Sequence, residues 1–462
     1  MDGLPGAEKT EVLRVFAANI LAFDGARVSA GAARTAKAGI ADTVGVTLAG
    51  LPEPCTQILM STPGVGDAPG DSLIFATNQR TSILDAALIN GTASHALDFD
   101  DFSAVLGGHQ SVPLVAPLFA MAEDRALSGT TMLAAYQVGH EAEHRFARAV
   151  HPHHYDKGWH PTATVGIFGT VAALARLIDL DVDRTTLALA IAASLASGLK
   201  ANFGTMTKPL HVGHSARAGV MAVLLAERGF DANPAALEHH QGFLNVFNGA
   251  GTFDVAPLTD AWSGPLAIEA PSIGIKQFAC CGSTHHAIQA AIDLVHQDGV
   301  RAQNVERVNI RVHQQRFRHT NTPTPQSVLE AKFSVQYAVA RALVDGAVTL
   351  KDFEGEAFRA PEITPLLARI RAETFADGEA DPWDAEVSVT YQGGSTHTRR
   401  IDNMVGRSGD NAMSDHELYA KFADCWACTL PETAAVEDAF NQLMTLETVA
   451  EIRRLTALFA AD

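Results

Sequence analysis

The stretch Phe203-Gly-Thr-Met-Thr207-Lys208-Pro-Leu-His211-Val-Gly-His214 crowds a lysine and two histidines into a Gly-punctuated loop that leads into a long apolar run. Pro209 suits a first helical position, where a missing N–H costs nothing, so the pattern predicts Lys208 at the mouth of a helix N-terminus. Backbone N–H groups and the positive end of a helix dipole attract anions there, and an ammonium adds a full charge. An ordinary surface loop with a capping histidine accounts for the same residues. The rest of the chain has to decide between the two.

Three further segments have the same profile: Asp98 to His109, Gly158 to Thr162, and Lys276 to His285. Each puts cationic or proton-transferring side chains on a loop beside a helix end. Brought to one cleft, Lys208 and Lys276 would clamp carboxylates, and His109, His160 and His211 would carry protons near neutral pH. That set suits proton abstraction next to a carboxylate. Such a carbon acid is very weak, so a site without metal must neutralise the developing charge with preorganised cations in a dry cleft.

Two other patterns compete. His140-Glu141-Ala-Glu-His144 matches the H-E-x-x-H spacing of a zinc hydrolase, with two histidines one helical turn apart and a glutamate as general base. The alternative reading is a polar helix face. Cys425 and Cys428 form a C-x-x-C in a helical pattern rather than a βαβ context, so we read it as incidental.

The elements that must position these groups are mostly helical. Apolar residues recur at helical spacing from Glu8 to Leu21 (Val12, Val15, Phe16, Ile20), in Ala36 to Leu48, and in Ile83 to Leu97. The same holds for Pro113 to Ala126, Thr130 to Val150, the run to Leu177 that contains Gly166 and Gly169, Thr185 to Ser197, and Ser215 to Arg228. The helix from Ile83 ends in His95-Ala-Leu-Asp98-Phe-Asp100-Asp101, and carboxylates at a C-terminal end oppose the dipole, so a cation must compensate.

Near residue 270 the character changes. Pro271 to Phe278 reads as extended, Cys280-Cys281-Gly-Ser-Thr-His285 opens a helix, and Ala331 to Leu343 is helical. Val308, Ile310 and Val312 alternate as in a strand, as do Val387, Val389 and Tyr391, with Gly393-Gly394 turning back into a hairpin. We therefore expect a mainly α protein: a helical domain over 1–269, a smaller inserted α+β lid domain over 270–401, and C-terminal helices over 402–462 that rejoin the first domain.

The chain has 462 residues and a net charge of -18, which argues against nucleic acid as a partner while leaving room for a local cationic site. Five cysteines make no disulfide framework. The first residues lack a basic stretch followed by an apolar run, and nothing reaches the length of a membrane span, so a cytoplasmic protein without membrane contact is expected.

These residues also carry a resemblance. His95-Ala-Leu-Asp98-Phe-Asp-Asp101, Gly158-Trp-His160-Pro-Thr, Thr207-Lys208-Pro-Leu-His211-Val-Gly, Cys281-Gly-Ser-Thr-His285 and Ala331-Lys-Phe-Ser-Val-Gln-Tyr337 resemble, in this order, the MmgE/PrpD family. That family contains 2-methylcitrate dehydratase, cis-aconitate decarboxylase and iminodisuccinate epimerase. The resemblance implies a homodimer with a large helical domain and a smaller lid, acting on a small di- or tricarboxylate without metal or organic cofactor. It places Asp98, His109, His160, Lys208 and Tyr337 in catalytic roles, and Lys276, His211, Cys281, His285 and Thr207 around the substrate. Phe102 stands where the aconitate decarboxylases have Thr, and Cys281 where they have a histidine, so the branch stays open between lyase and epimerase. A carboxylate-binding member without turnover is the remaining alternative.

Overall fold

The computed structural model describes residues 11–25, 28–269, 273–402, 406, 411–431 and 434–461. The expected helical start at Glu8 to Thr10 and the extended start at Pro271 and Ser272 lie outside the described residues. The chain divides into two compact units. The first comprises the chain up to Ala96, Asp100–Ile275 and Ser414 onwards; the second comprises Leu97–Phe99 and Lys276–Met413.

The first unit is built of helices: α1 (Val12–Leu21), α2 (Ala30–Gly50), α3 (Ile83–His95), α4 (Val112–Asp124), α5 (Gly129–Val150), α6 (Gly166–Leu177), α7 (Val182–Leu195) and α8 (Thr207–Glu227). Ser29, Ser82, Ser128 and Asp181 cap α2, α3, α5 and α7 by accepting a backbone N–H of the first turn. In α1, Val12, Phe16 and Ile20 are buried as the spacing predicts, but Val15 is exposed, because a single apolar stripe covers only part of a helix.

Two pairs of glycines set the packing. A Cβ at Gly213 of α8 would fall 2.2 Å from the carbonyl oxygen of Leu88, and one at Gly91 of α3 would fall 3.0 Å from the Gly213 Cα. The backbones of α3 and α8 therefore touch, which brings the end of α3 to the beginning of α8. Gly169 of α6 and Gly139 of α5 do the same, each Cβ position lying within 3.0 Å of the other's carbonyl oxygen. Small residues buy this closeness; any side chain would push the helices apart. Between α3 and α4, the short strand β1 (Phe102–Ser103) pairs antiparallel with β2 (Ile273–Gly274).

The second unit packs helix α9 (His285–His296) and helix α10 (Val335–Asp345) with a four-stranded sheet. Its strands are β3 (Val305–Val312), β4 (Ile370–Thr374), β5 (Ala385–Tyr391) and β6 (Thr396–Ile401), in the spatial order β4-β3-β5-β6. β3 runs parallel to β4 and antiparallel to β5, with Val308 opposite both Ile370 and Val389. Val308, Ile310, Val312, Val387 and Val389 are buried, as alternation requires of a sheet with one covered face. The hairpin from β5 to β6 turns at Gly393 and Gly394, both with positive φ, a conformation that costs glycine nothing. The predicted helix from Ala331 is broken in two, because Ser334 restarts it as the cap of α10. The chain returns to the first unit with α11 (Asp415–Trp426) and α12 (Ala434–Met444). No helix among the described residues is long and apolar enough to cross a membrane.

Candidate active site

The approach of α3 to α8 decides the site of the first unit. His95 is the last residue of α3, and the chain leaving it returns through Asp100, Asp101 and β1 to the loop that carries His109. Asp100 is buried, and its Oδ2 lies 2.8 Å from Nδ1 of both His95 and His109. His109 Nδ1 is also 2.9 Å from the carbonyl oxygen of Asp101. A carboxylate and a carbonyl can only accept, so both imidazoles carry their proton on Nδ1 and keep Nε2 as the basic nitrogen. Burial alone would raise the Asp100 carboxyl, but His109 and His95 outweigh it and hold it well below the usual range.

The loop to His109 is held from several sides. Gly107 has positive φ, Ser103 N–H donates to the Gly108 carbonyl over 2.8 Å, and His109 N–H donates to Thr162 Oγ1 over 3.0 Å. Gly108 passes so close to Thr162 that a Cβ would fall 2.7 Å from its Oγ1. His160, two residues before Thr162, has its N–H bonded to the Gly198 carbonyl and its Nδ1 3.2 Å from Nδ1 of His211. One of those two nitrogens must donate to the other. The His160 ring centroid is 5.8 Å from that of His95, 5.4 Å from that of His211 and 4.9 Å from that of Phe203.

Lys208 lies in the first turn of α8, which starts at Thr207 and so precedes the start expected at Pro209. The lysine is buried, with Nζ 5.2 Å from the centroid of the Phe203 ring. Thr207 opens the helix, its N–H bonded to Thr205 Oγ1. Burial, opposed by Asp100 and helped by Lys208 and His109, lowers His95 to about 4. Burial and then His95, Lys208 and His211 push His160 well below its ordinary value, and burial, His214 and Lys208 lower His211. Burial thus favours the neutral form of His95, His160 and His211, beside a lysine and one carboxylate held ionised. That arrangement can accept a proton and stabilise an anion.

The second unit holds the remaining expected residues. Lys276 Nζ donates to the Asp98 carbonyl over 2.6 Å and lies 3.2 Å from its Oδ1, and Lys332 Nζ donates to the Leu97 carbonyl over 3.0 Å. Asp98 has φ of +55°, a conformation rare for a residue with a side chain, and the two buried lysines hold it there. Cys281 is buried and its N–H donates to the Lys332 carbonyl; burial and then Asp98 raise its thiol, with Lys276 opposing. His285 bonds through Nε2 to the Cys280 carbonyl, and burial followed by Lys276 lowers it to about 3.

Tyr337 belongs elsewhere in that unit. Its hydroxyl donates to the Asp352 carbonyl and accepts from Arg341 Nε at 3.2 Å, and Arg341 also pairs with Asp345, Asp352 and Glu362. These bonds tie the phenol to Asp352 and to Arg341 of its own helix. Sequence reasoning assigned no role to His95, Asp100 or Lys332, although all three sit inside the motifs it singled out. The signal was present in His95 and Asp100 flanking a helix end.

In the zinc pattern on α5, His144 and Glu141 are committed to other partners. His144 Nδ1–H donates to the His140 carbonyl over 2.8 Å, which leaves Nε2 to accept from Ser103 Oγ–H at 2.8 Å. Glu141 accepts from the Ala267 N–H and pairs with Arg145. His140 stacks on His144 at 4.1 Å, and among the described residues neither belongs to a group of three side chains able to hold a metal. The motif instead braces the loop to His109 through Ser103.

Comparison with known proteins matches two family models, the MmgE/PrpD N-terminal domain over residues 14–256 and the MmgE/PrpD C-terminal domain over residues 278–445. The chain is 31% identical over 385 residues to cis-aconitate decarboxylase of Homo sapiens, covering 81% of this chain and 78% of the other. It is 30% identical over 350 residues to cis-aconitate decarboxylase of Mus musculus, covering 73% and 70%. With cis-aconitate decarboxylase of Aspergillus terreus it shares 25% identity over 421 residues, covering 85% and 84%.

Proposed function

The chain belongs to the MmgE/PrpD family, and from that premise and the geometry of the first unit we propose that it is a lyase or epimerase that transfers a proton at the carbon next to a carboxylate of a small di- or tricarboxylate. The observation that carries this reading is the single Asp100 oxygen between His95 and His109. When His109 takes a proton on Nε2, the carboxylate already bonded to its Nδ1 stabilises the imidazolium. Lys208 offsets the charge that develops on the substrate carboxylate as the carbon becomes anionic. His160, bonded to His211, is placed to give or receive the second proton. In a dehydration that proton goes to the leaving hydroxyl. In an epimerisation it returns to the opposite face; in a decarboxylation the departing carbon dioxide leaves the electron pair, no proton is abstracted, and one histidine delivers the single proton that carbon takes up.

The decarboxylases among the relatives support the lyase side, while Phe102 and Cys281 keep the choice of reaction open. We read the enzyme further as a cytoplasmic homodimer that needs no metal or organic cofactor. Light scattering tests the dimer. The chemistry is tested by incubating the protein in D₂O with citrate, cis-aconitate, malate and succinate and following C–H exchange and product signals by NMR. We expect exchange or turnover with at least one acid, and its loss in Lys208→Ala and His160→Ala. Full activity in either variant refutes the assignment.

A further inference from the structure

Ser111 sits immediately before α4, where a serine ordinarily caps the helix by accepting a first-turn N–H, yet its hydroxyl makes no such bond. That hydroxyl is spent elsewhere. Ser111 Oγ–H donates to Asp101 Oδ2, the Ser111 N–H donates to Asp101 Oδ1 over 3.3 Å, and the Tyr136 hydroxyl of α5 is 2.6 Å from Ser111 Oγ. Ser111 has one hydroxyl proton and gives it to Asp101, so Tyr136 is the donor of the last bond. All three residues are fully buried. Helix α2 makes room for them with a glycine: a Cβ at Gly39 would fall 2.6 Å from the Tyr136 hydroxyl oxygen, 3.1 Å from Ser111 Oγ and 3.2 Å from Asp101 Oδ2. A forgone cap and a glycine inside a helix both go against local preference, and such departures gather where a site needs them.

The chain of bonds ends beside the base. His109 Nδ1 is 2.9 Å from the Asp101 main-chain carbonyl oxygen and 2.8 Å from Asp100 Oδ2, and that same Oδ2 also serves His95. One oxygen shared by two rings leaves the tilt of each to its other contacts, so the Asp101 carbonyl is the acceptor that belongs to His109. We propose that Ser111 is a positioning residue of this site: bonded to Tyr136 behind and Asp101 in front, it fixes the carbonyl that keeps the His109 proton on Nδ1 and Nε2 as the basic nitrogen. The inference rests on the proton-transfer reading above. It adds residues that act through the base, by setting which end of the imidazole can take a proton.

The test pairs a tautomer with a rate. In the intact protein labelled with ¹⁵N-histidine, long-range ¹H–¹⁵N spectra without ligand report which His109 nitrogen carries hydrogen, with His109→Gln identifying the signal, and C–H exchange of the acids above is followed in D₂O. The unaltered protein should show the Nδ1–H form. Ser111→Ala removes the donor to Asp101, so it should admit the Nε2–H form and lower the exchange rate by about tenfold to a hundredfold, while affinity for the same acid by calorimetry stays within about threefold, since the loss is one of orientation. An Nε2–H form in the unaltered protein, an unchanged tautomer in Ser111→Ala, or an exchange rate there within about threefold overturns the role of Ser111 and leaves the proton-transfer reading standing. A fall in rate with the tautomer unchanged would mark a packing defect alone. Absence of exchange or turnover with every acid in the unaltered protein overturns the proton-transfer reading, and this inference with it. Thermal melting checks that the variants fold; if Ser111→Ala does not, Tyr136→Phe should move the His109 Nδ1 resonance and lower the rate about threefold or more, and an unchanged resonance refutes the role.

Discussion

Two sets of histidines stand in the first unit, and they differ in what their nitrogens and carboxylates meet. On α5, His140, Glu141 and His144 have the ideal spacing for a metal on one helix face, yet Glu141 is tied to Arg145 and the Ala267 N–H, and both His144 nitrogens are bonded. At the end of α3, His95, Asp100 and His109 follow no recognised spacing, yet one carboxylate orients both rings through Nδ1. Spacing along a helix says where side chains begin. It does not say which neighbours will consume their hydrogen-bonding capacity, and reactivity depends on what is left over.

The contrast can be broken by substitution. The largest effect is expected from Asp100→Ala, which should lower the rate of C–H exchange by about a hundredfold to ten-thousandfold, because His109 loses both its orientation and the charge that stabilises its protonated form. An exchange rate within about threefold of the unaltered protein would remove Asp100 from the mechanism. Glu141→Gln should act the other way round, lowering stability by about 1–3 kcal/mol in urea unfolding while leaving exchange within about threefold, since it weakens a buried pair that touches no substrate. A large loss of activity with unchanged stability would revive a catalytic role for the α5 motif.

Acid should reach both histidine sets. His95 and His144 are lowered to about 4 in the folded protein by burial, so between about pH 6.5 and about 4 the unfolded chain binds their protons while the folded one does not. Their contribution to stability is therefore present above about 6.5 and is lost as pH falls through about 4. A melting temperature lower at pH 5 than at pH 7, with a shallower dependence in His144→Phe, is the expected outcome. An equal melting temperature at both values would show that these rings are not held neutral. The smallest effect is expected from EDTA, which should leave exchange activity unchanged. A chelator-sensitive enzyme whose activity returns with added zinc would overturn the metal-free reading.

Much of the scaffold was legible. Helical spacing located α1 to α8 to within a few residues except at the starts of α2 and α8, and alternation picked out β3 and β5, because the burial that selects apolar residues repeats with the period of the element. The loops of chemical interest were also visible as polar interruptions, and Lys208, His109, His160 and His211 do lie in one unit. Roles within the loops were not visible. Asp98, Asp100 and Asp101 are three carboxylates in four positions, alike in sequence, and the positive φ at Asp98 turns the chain so that each meets a different partner. Lys276 takes Asp98, two imidazoles take Asp100, and Ser111 takes Asp101, which burial and Asp42 raise well above the usual range.

The sequence by itself determined the helical frame, the small sheet and the residue types available for acid–base chemistry, because those follow from periodicity and composition over short stretches. Tertiary structure alone decided which histidines remain bases. That depends on Gly91 meeting Gly213, on Ser103 occupying His144 and on one oxygen reaching two rings, contacts between residues that no local pattern connects.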